Sequence, residues 1–157
     1  MGAKKSRRYW DACCFIAILN NEPDGPTCEG ILSEAKDGKL EIIVSPLVML
    51  EVVRKKGDPL PIPIEKEQAV REFFENDYVI MRNIDRLVAE KGRELCWSHK
   101  LKPRDALHLA TALLSECECL ETVDPDLLRY NHQIGNPPIE IRKPHWTGQV
   151  ELPQIKA

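Results

Sequence analysis

The sequence predicts an α/β fold whose parallel sheet is covered by helices on both faces. Three observations carry that prediction. Short apolar or β-branched runs alternate with longer segments whose apolar residues recur at helical spacing. Proline and glycine mark the boundaries between them. The length of 157 residues suits one domain, large enough to bury a core without crosslinks. Strands alternating with helices imply βαβ units, and in such folds the cleft lies beyond the carboxyl ends of the strands.

The elements follow in order. Arg8 to Asp11 reads as a short strand running into a helix with Ala12, Phe15, Ile16 and Leu19 on one side. Pro26 suits a first helical turn, and Gly38 stops the helix that carries Ile31, Leu32 and Ala35. Leu40 to Val44 is a β-branched strand. Ser45-Pro46 supplies an N-cap and a proline at the first helical position. The helix it opens carries Leu47, Leu50 and Val53 and is expected to end near Gly57. Asp58 to Pro63 holds three prolines and is a loop. A helix over Glu65 to Glu75 and a strand over Tyr78 to Met81 follow. Ile84, Leu87, Val88, Leu95 and Cys96 mark a long helix, with Gly92 on the same face. Pro103 opens a helix through Ala106, Leu109, Ala110, Leu113 and Leu114. Cys119 to Val123 is a strand, Leu127 and Leu128 sit in a short helix, and Ile139 to Arg142 is the last strand. Residues 1–142 are expected to form a single domain, and 143–157 an extended tail.

Composition excludes several classes. Hydrophobic residues are 43% and charged residues 30% of the chain, a globular balance rather than a disordered or fibrous one. The net charge of −3 excludes a dominantly basic surface, so any nucleic-acid chemistry must use local patches and metal ions. The longest apolar run, Ala12 to Leu19, is too short for a membrane span, and no membrane partner is expected. The basic start followed by that run mimics a signal peptide, but Asp11 interrupts it and no small-residue cleavage site follows. Met1 to Ser6 also matches the myristoylation pattern, which a basic tail explains equally well. The expectation is a cytoplasmic protein.

The six cysteines show no C-x-x-C spacing. Reduced thiols packed as small hydrophobes are the favoured reading over a disulfide framework. A zinc set of Cys96, His99, Cys117 and Cys119 ranks below unrelated core and surface residues.

Four carboxylates stand out by position. Asp11 ends the first strand, and Asp124 follows the strand Leu120 to Val123. Asp105 begins the Pro103 helix. Glu51 is flanked by Leu47, Val48, Leu50, Val52 and Val53, so a buried carboxylate there needs a partner or a cation. Each has an ordinary alternative: Asp11 and Asp124 as helix N-caps, Asp105 as a complement to a helix dipole. Together they repel one another unless a divalent cation neutralises them. Hard oxygen ligands favour Mg2+ or Mn2+, and the chemistry that most needs such a site is phosphodiester cleavage.

Asp11, the segment Ser45-Pro46-Leu47-Val48-Met49-Leu50-Glu51, the helix Arg104-Asp105-Ala106-Leu107-His108-Leu109-Ala110-Thr111-Ala112 and Thr122-Val123-Asp124 together resemble the PIN domain. They stand in that family's order over nearly the whole chain. The resemblance implies a three-layer fold with a central parallel sheet of about four or five strands. It also implies a metal-dependent ribonuclease with Asp11, Glu51, Asp105 and Asp124 as metal-site acids. A single compact domain of this kind is similar to VapC-type toxins, which implies an RNA substrate, an antitoxin partner and a homodimer. Ala12 departs from the hydroxyl residue the family often has after its first acid.

Neighbouring residues have weighed roles. Thr122 points to the same side as Asp124 and suits a hydrogen bond to a metal acid; an ordinary strand threonine is the alternative. His108, one turn beyond Asp105, could orient a carboxylate or touch RNA, against a histidine satisfied at the cleft edge. Asp126 is an alternative ligand to Asp124, or a first-turn residue of the next helix. Ser45 reads as a cap near the cleft. Among the basic runs, Arg104 and Lys102 flank Asp105 and are the candidates for phosphate contacts. Aromatic residues are few, and Trp10 and Trp97 read as partly buried, so backbone recognition is favoured over base stacking. Competing readings are a non-catalytic PIN-like RNA- or protein-binding module and a processing nuclease with no toxin role. A haloacid-dehalogenase-like phosphatase needs an aspartate where Cys13 stands. A receiver domain fits neither at its lysine nor at its aspartate, and no P-loop is present.

Overall fold

A computed structural model describes residues 5–146. It contains five strands: β1 (Ser6–Trp10), β2 (Leu40–Val44), β3 (Val79–Met81), β4 (Cys119–Glu121) and β5 (Glu140–Arg142). The helices are α1 (Ala12–Leu19), α2 (Gly25–Lys36), α3 (Pro46–Glu51), α4 (Glu67–Glu75), α5 (Arg86–His99), α6 (Pro103–Leu114) and α7 (Pro125–Leu128). A single 3-10 turn, Ile64–Lys66, precedes α4.

The sheet is parallel throughout, in the order β3-β2-β1-β4-β5. The chain winds outward from β1 to β3 on one side, then crosses back to β4 and β5 on the other. The order therefore reverses between β1 and β4, and a crevice opens there at the carboxyl ends of the strands. Side chains on β1 alternate between faces. Tyr9 reaches His108 of α6, which pairs with α5. Trp10 meets Phe15 of α1, which in turn touches Phe73 and Phe74 of α4. Helices thus cover both faces, and the carboxyl-terminal halves of β1 and β2 are buried throughout.

Several boundaries differ from the sequence reading. β1 starts at Ser6 and ends at Trp10, so Asp11 is the N-cap of α1 rather than a strand residue. α3 stops at Glu51, well before Gly57. Val52 leaves the helix at ψ 59°, and the β-branched pair Val52-Val53 does not sustain it. The buried face of this segment is Val48 and Val52, whereas Leu50 is 70% exposed. β4 ends at Glu121, because the Asp124 amide donates to Thr122 Oγ1 and turns the chain out of the ladder. Ile84 precedes α5, and both Ile84 and Leu87 are exposed. Trp10 is fully buried, but Trp97 is 76% exposed, with the Arg93 guanidinium over its ring. All six cysteines are free thiols.

After β5 the chain stays on the body as far as residue 146. The His145 amide donates to Glu121, and Trp146 lies against α2 at Gly30, where a methyl group would overlap the ring. The rest of the expected tail lies outside the described residues. Among the described residues, no helix is long and apolar enough to cross a membrane.

Candidate active site at the sheet switch point

Asp11 sits where the strand order reverses. Its backbone N–H still donates to the Glu121 carbonyl at 3.2 Å, which anchors it to β4. One carboxylate oxygen accepts from the Ala12 amide at 2.8 Å and so caps α1. The other accepts from Thr122 Oγ1 at 2.8 Å. Thr122 in turn accepts from the Asp124 amide at 3.0 Å, and Asp124 caps α7 through the Asp126 amide at 2.9 Å. Capping and site-building are thus compatible: the caps fix the two carboxylates on opposite lips of the crevice. Asp126 donates its amide to that cap from the first turn of α7.

Glu51 enters from the last residue of α3. Its side chain is only 11% exposed, and Oε1 lies 3.0 Å from His108 Nε2. Oε2 faces the Arg104 guanidinium as an ion pair but accepts no aligned hydrogen bond. His108 is not at the cleft edge. It is 2% exposed, with Nε2 also 3.8 Å from Asp11 Oδ1. On the other side of the ring, Nδ1 is 2.7 Å from the Tyr9 hydroxyl, which reaches Ser45 Oγ at 3.0 Å. Ser45 makes no side-chain cap bond to α3; its hydroxyl belongs to this buried chain.

The charges perturb one another. Burial alone pushes Glu51 up, but the hydrogen bond from His108 and the charges of His108 and Arg104 outweigh it, so its carboxyl is held below the usual range. Burial pulls His108 down, yet the Glu51 hydrogen bond and the Asp11 and Glu51 charges leave it raised. Asp105 is raised by burial and then by the negative charge of Asp124 and Asp126. Asp105, in the first turn of α6, is neither in the group that Asp11, Glu51 and His108 form nor among the residues that line the crevice.

The crevice is a cavity of about 760 Å3 lined by Asp11, Glu51, Asp124, Arg104, Lys55 and Lys56 among others. Lys56 is 3.2 Å from Asp124, and Lys55 is 3.1 Å from Glu22. Lys102 is exposed beside it, at the start of α6. Among the described residues, the metal-ligating atoms that gather within 4.8 Å of one another come from Asp11, Glu51 and His108. The zinc set of Cys96, His99, Cys117 and Cys119 is therefore not assembled.

A family model for the PIN domain matches residues 8–133. The chain belongs to the PIN domain family. Among curated proteins no match was found. Solved structures similar to it include a toxin–antitoxin complex from Klebsiella pneumoniae, 20% identical, covering 88% of this chain and 98% of the other, with a TM-score of 0.57. VapBC2 from Rickettsia felis, bound to a DNA fragment from its promoter, is 17% identical, with coverages of 86% and 98% and a TM-score of 0.62. VapC20 from Mycobacterium tuberculosis, a sarcin–ricin loop cleaving toxin, is 16% identical, with coverages of 76% and 92% and a TM-score of 0.58.

The donor set of this PIN domain fits a divalent cation. Asp11, Glu51 and His108 each offer a ligand atom within 4.8 Å of the others, and Asp124 lines the same cavity. Sequence reasoning did not find Tyr9, and it placed Ser45 near the cleft as a cap rather than as a partner of Tyr9. Their signal, a tyrosine in β1 and a serine after β2, cannot be separated from ordinary strand and cap chemistry without knowing the registry of β1 against α6.

Proposed function

We propose that this PIN domain is a divalent-metal-dependent endoribonuclease, the toxin of a type II toxin–antitoxin pair, acting on RNA in the cytoplasm. The observation that carries the reading is the meeting of Asp11, Glu51 and His108 at the sheet switch point, in a cavity that Asp124 also lines. Such a cluster of negative charge is costly unless its work is to hold a cation. Asp11, Glu51, Asp105 and Asp124 are the acids assigned to the metal, which is Mg2+ or Mn2+. When bound, the ion supplies an activated water and neutralises the charge that develops on the phosphate and leaving oxygen.

The chain's own residues do the rest. Thr122 holds Asp11 in one rotamer, and His108 does the same for Glu51. Arg104 and Lys102, with the basic loop that carries Lys55 and Lys56, provide positive charge beside the acids for the RNA backbone. The similarity to toxin–antitoxin complexes supports an antitoxin partner. The similarity to a sarcin–ricin loop cleaving toxin supports RNA as the substrate. A second hollow of about 690 Å3, with Gly92, Cys96, Trp97 and Leu107 in its wall, shares Leu47 and Arg104 with the cleft. Such an apolar surface beside an active site suits a protein partner or a second copy.

The test is cleavage of RNA in Mg2+ or Mn2+ by the wild type and by Asp11→Asn and Asp105→Asn. Both variants should fold and fail to cut. Undiminished cleavage by both would remove the catalytic assignment. For the toxin role, expression should arrest growth, and the product of the adjacent reading frame should relieve it; an active enzyme without toxicity points to RNA processing.

A further inference from the structure

Resting on the metal-site reading above, we infer that His108 is itself a metal ligand. Its Nε2 joins Asp11 Oδ1 and Glu51 Oε1 in a mixed nitrogen–oxygen site that takes Mn2+ in preference to Mg2+.

The separations agree with a shared ion. Nε2 stands 3.0 Å from Glu51 Oε1 and 3.8 Å from Asp11 Oδ1, and all three atoms lie within 4.8 Å of one another. Two donors bound at roughly 2.1 Å to one ion are about 3.0 Å apart at a right angle and about 3.4 Å apart at the tetrahedral angle. The observed distances bracket that range. By contrast, neither Asp105 nor Asp124 joins the three-atom group.

The rest of the imidazole is arranged as a ligating histidine requires. Such a ring has its other nitrogen fixed by a hydrogen-bond partner, which sets tautomer and orientation. Here Nδ1 is fixed by the Tyr9 hydroxyl, and Tyr9 by Ser45. When Nδ1–H donates to the Tyr9 oxygen and the Tyr9 hydroxyl donates to Ser45 Oγ, a cation can take the place of the Nε2 proton that otherwise bonds Glu51. The ring also packs edge-on against Tyr9, 5.6 Å between centroids, and at 2% exposure it has no room to swing away. A histidine that only donated to Glu51 would need neither the second carboxylate nor a serine withdrawn from its capping role.

The consequence is metal choice. Two carboxylates alone make a hard oxygen site suited to Mg2+. An imidazole nitrogen shifts preference toward first-row transition ions, of which Mn2+ also retains carboxylate ligands readily.

The experiment is pulsed electron paramagnetic resonance of the full chain loaded with Mn2+. Echo modulation from a directly bound 14N is expected, changed in protein grown with 15N-histidine and lost in His108→Gln. Titration calorimetry should show the Mn2+ affinity of His108→Gln falling by about tenfold or more, and its Mg2+ affinity changing far less. If His108→Gln does not fold, a variant with His99, His132 and His145 all replaced by glutamine should keep the modulation; loss there overturns the assignment. Mn2+ bound and RNA cleaved without nitrogen coupling overturns the ligand role and leaves the nuclease reading standing. No Mn2+ binding at all overturns both.

Discussion

Two buried glutamates lie a short distance apart and are solved in opposite ways. Glu121, at the end of β4, is fully buried. It accepts from Trp10 Nε1 at 2.9 Å, Arg8 Nη1 at 3.2 Å, Arg142 Nε at 3.1 Å and the His145 amide at 3.2 Å. Both Glu121 oxygens have donors, and the two guanidiniums that face it also meet Glu118 and Glu140 on their outer sides. Glu51 is nearly as buried, but its neighbours are Asp11 on one side and, further out, Asp105 and Asp124. Its partners are the buried His108 imidazole and the exposed Arg104 guanidinium. The first arrangement fastens the sheet edge, whereas the second concentrates negative charge at a cavity. Burial therefore does not distinguish a structural carboxylate from a functional one; the sign of the surrounding charge does.

The sharpest way to break this contrast is to delete each glutamate. Glu121→Ala removes the one fully buried partner shared by Arg8, Arg142 and Trp10, and losing one member of a buried ion pair costs about 3–5 kcal/mol. Urea denaturation should show that loss, and an unchanged midpoint would mean the cluster is not structural. Glu51→Gln should lower the midpoint by less than Glu121→Ala does, because it removes a charge that His108 and Arg104 favour in the folded state. Its RNA cleavage should fall by more than about 100-fold, because even partners one shell out from a metal typically cost about 10–100-fold. Thr122→Val tests the middle of that range: cleavage and Mn2+ affinity should drop by about 10–100-fold with little change in stability. The smallest effect is chemical. Burial, and then the Glu121 charge, raise the Cys119 thiol, and burial lifts Cys117 to about 12. Iodoacetamide at neutral pH should therefore modify the half-exposed Cys13 and Cys96 first, as peptide mass mapping would show.

The positions of Asp11, Asp105 and Asp124 were legible in the sequence because they sit at element boundaries that proline, strand and cap signals mark. Glu51 was legible because a carboxylate among valines and leucines has to be explained. Thr122 followed from strand alternation. The buried chain Tyr9–Ser45–His108 was not legible, since it depends on which face of β1 meets α6, and periodicity in a fully buried strand carries no face. Glu121 went unremarked because its arginine partners come from β1 and β5, far away in sequence. The length of α3 and the exposure of Leu50 were misjudged because helical spacing in so short a segment fits either face. Trp97 was misjudged because an exposed tryptophan on a helix has no sequence mark to separate it from a core one.

The seating of His145 and Trp146 bears on where this domain can be cut. A chain trimmed after Arg142, at the end of the last strand, would lose an amide donor to Glu121 and the ring that fills the notch at Gly30. Such a truncation would act on the folded body as a core deletion does. Its penalty would register in thermal unfolding even though no strand or helix had been removed.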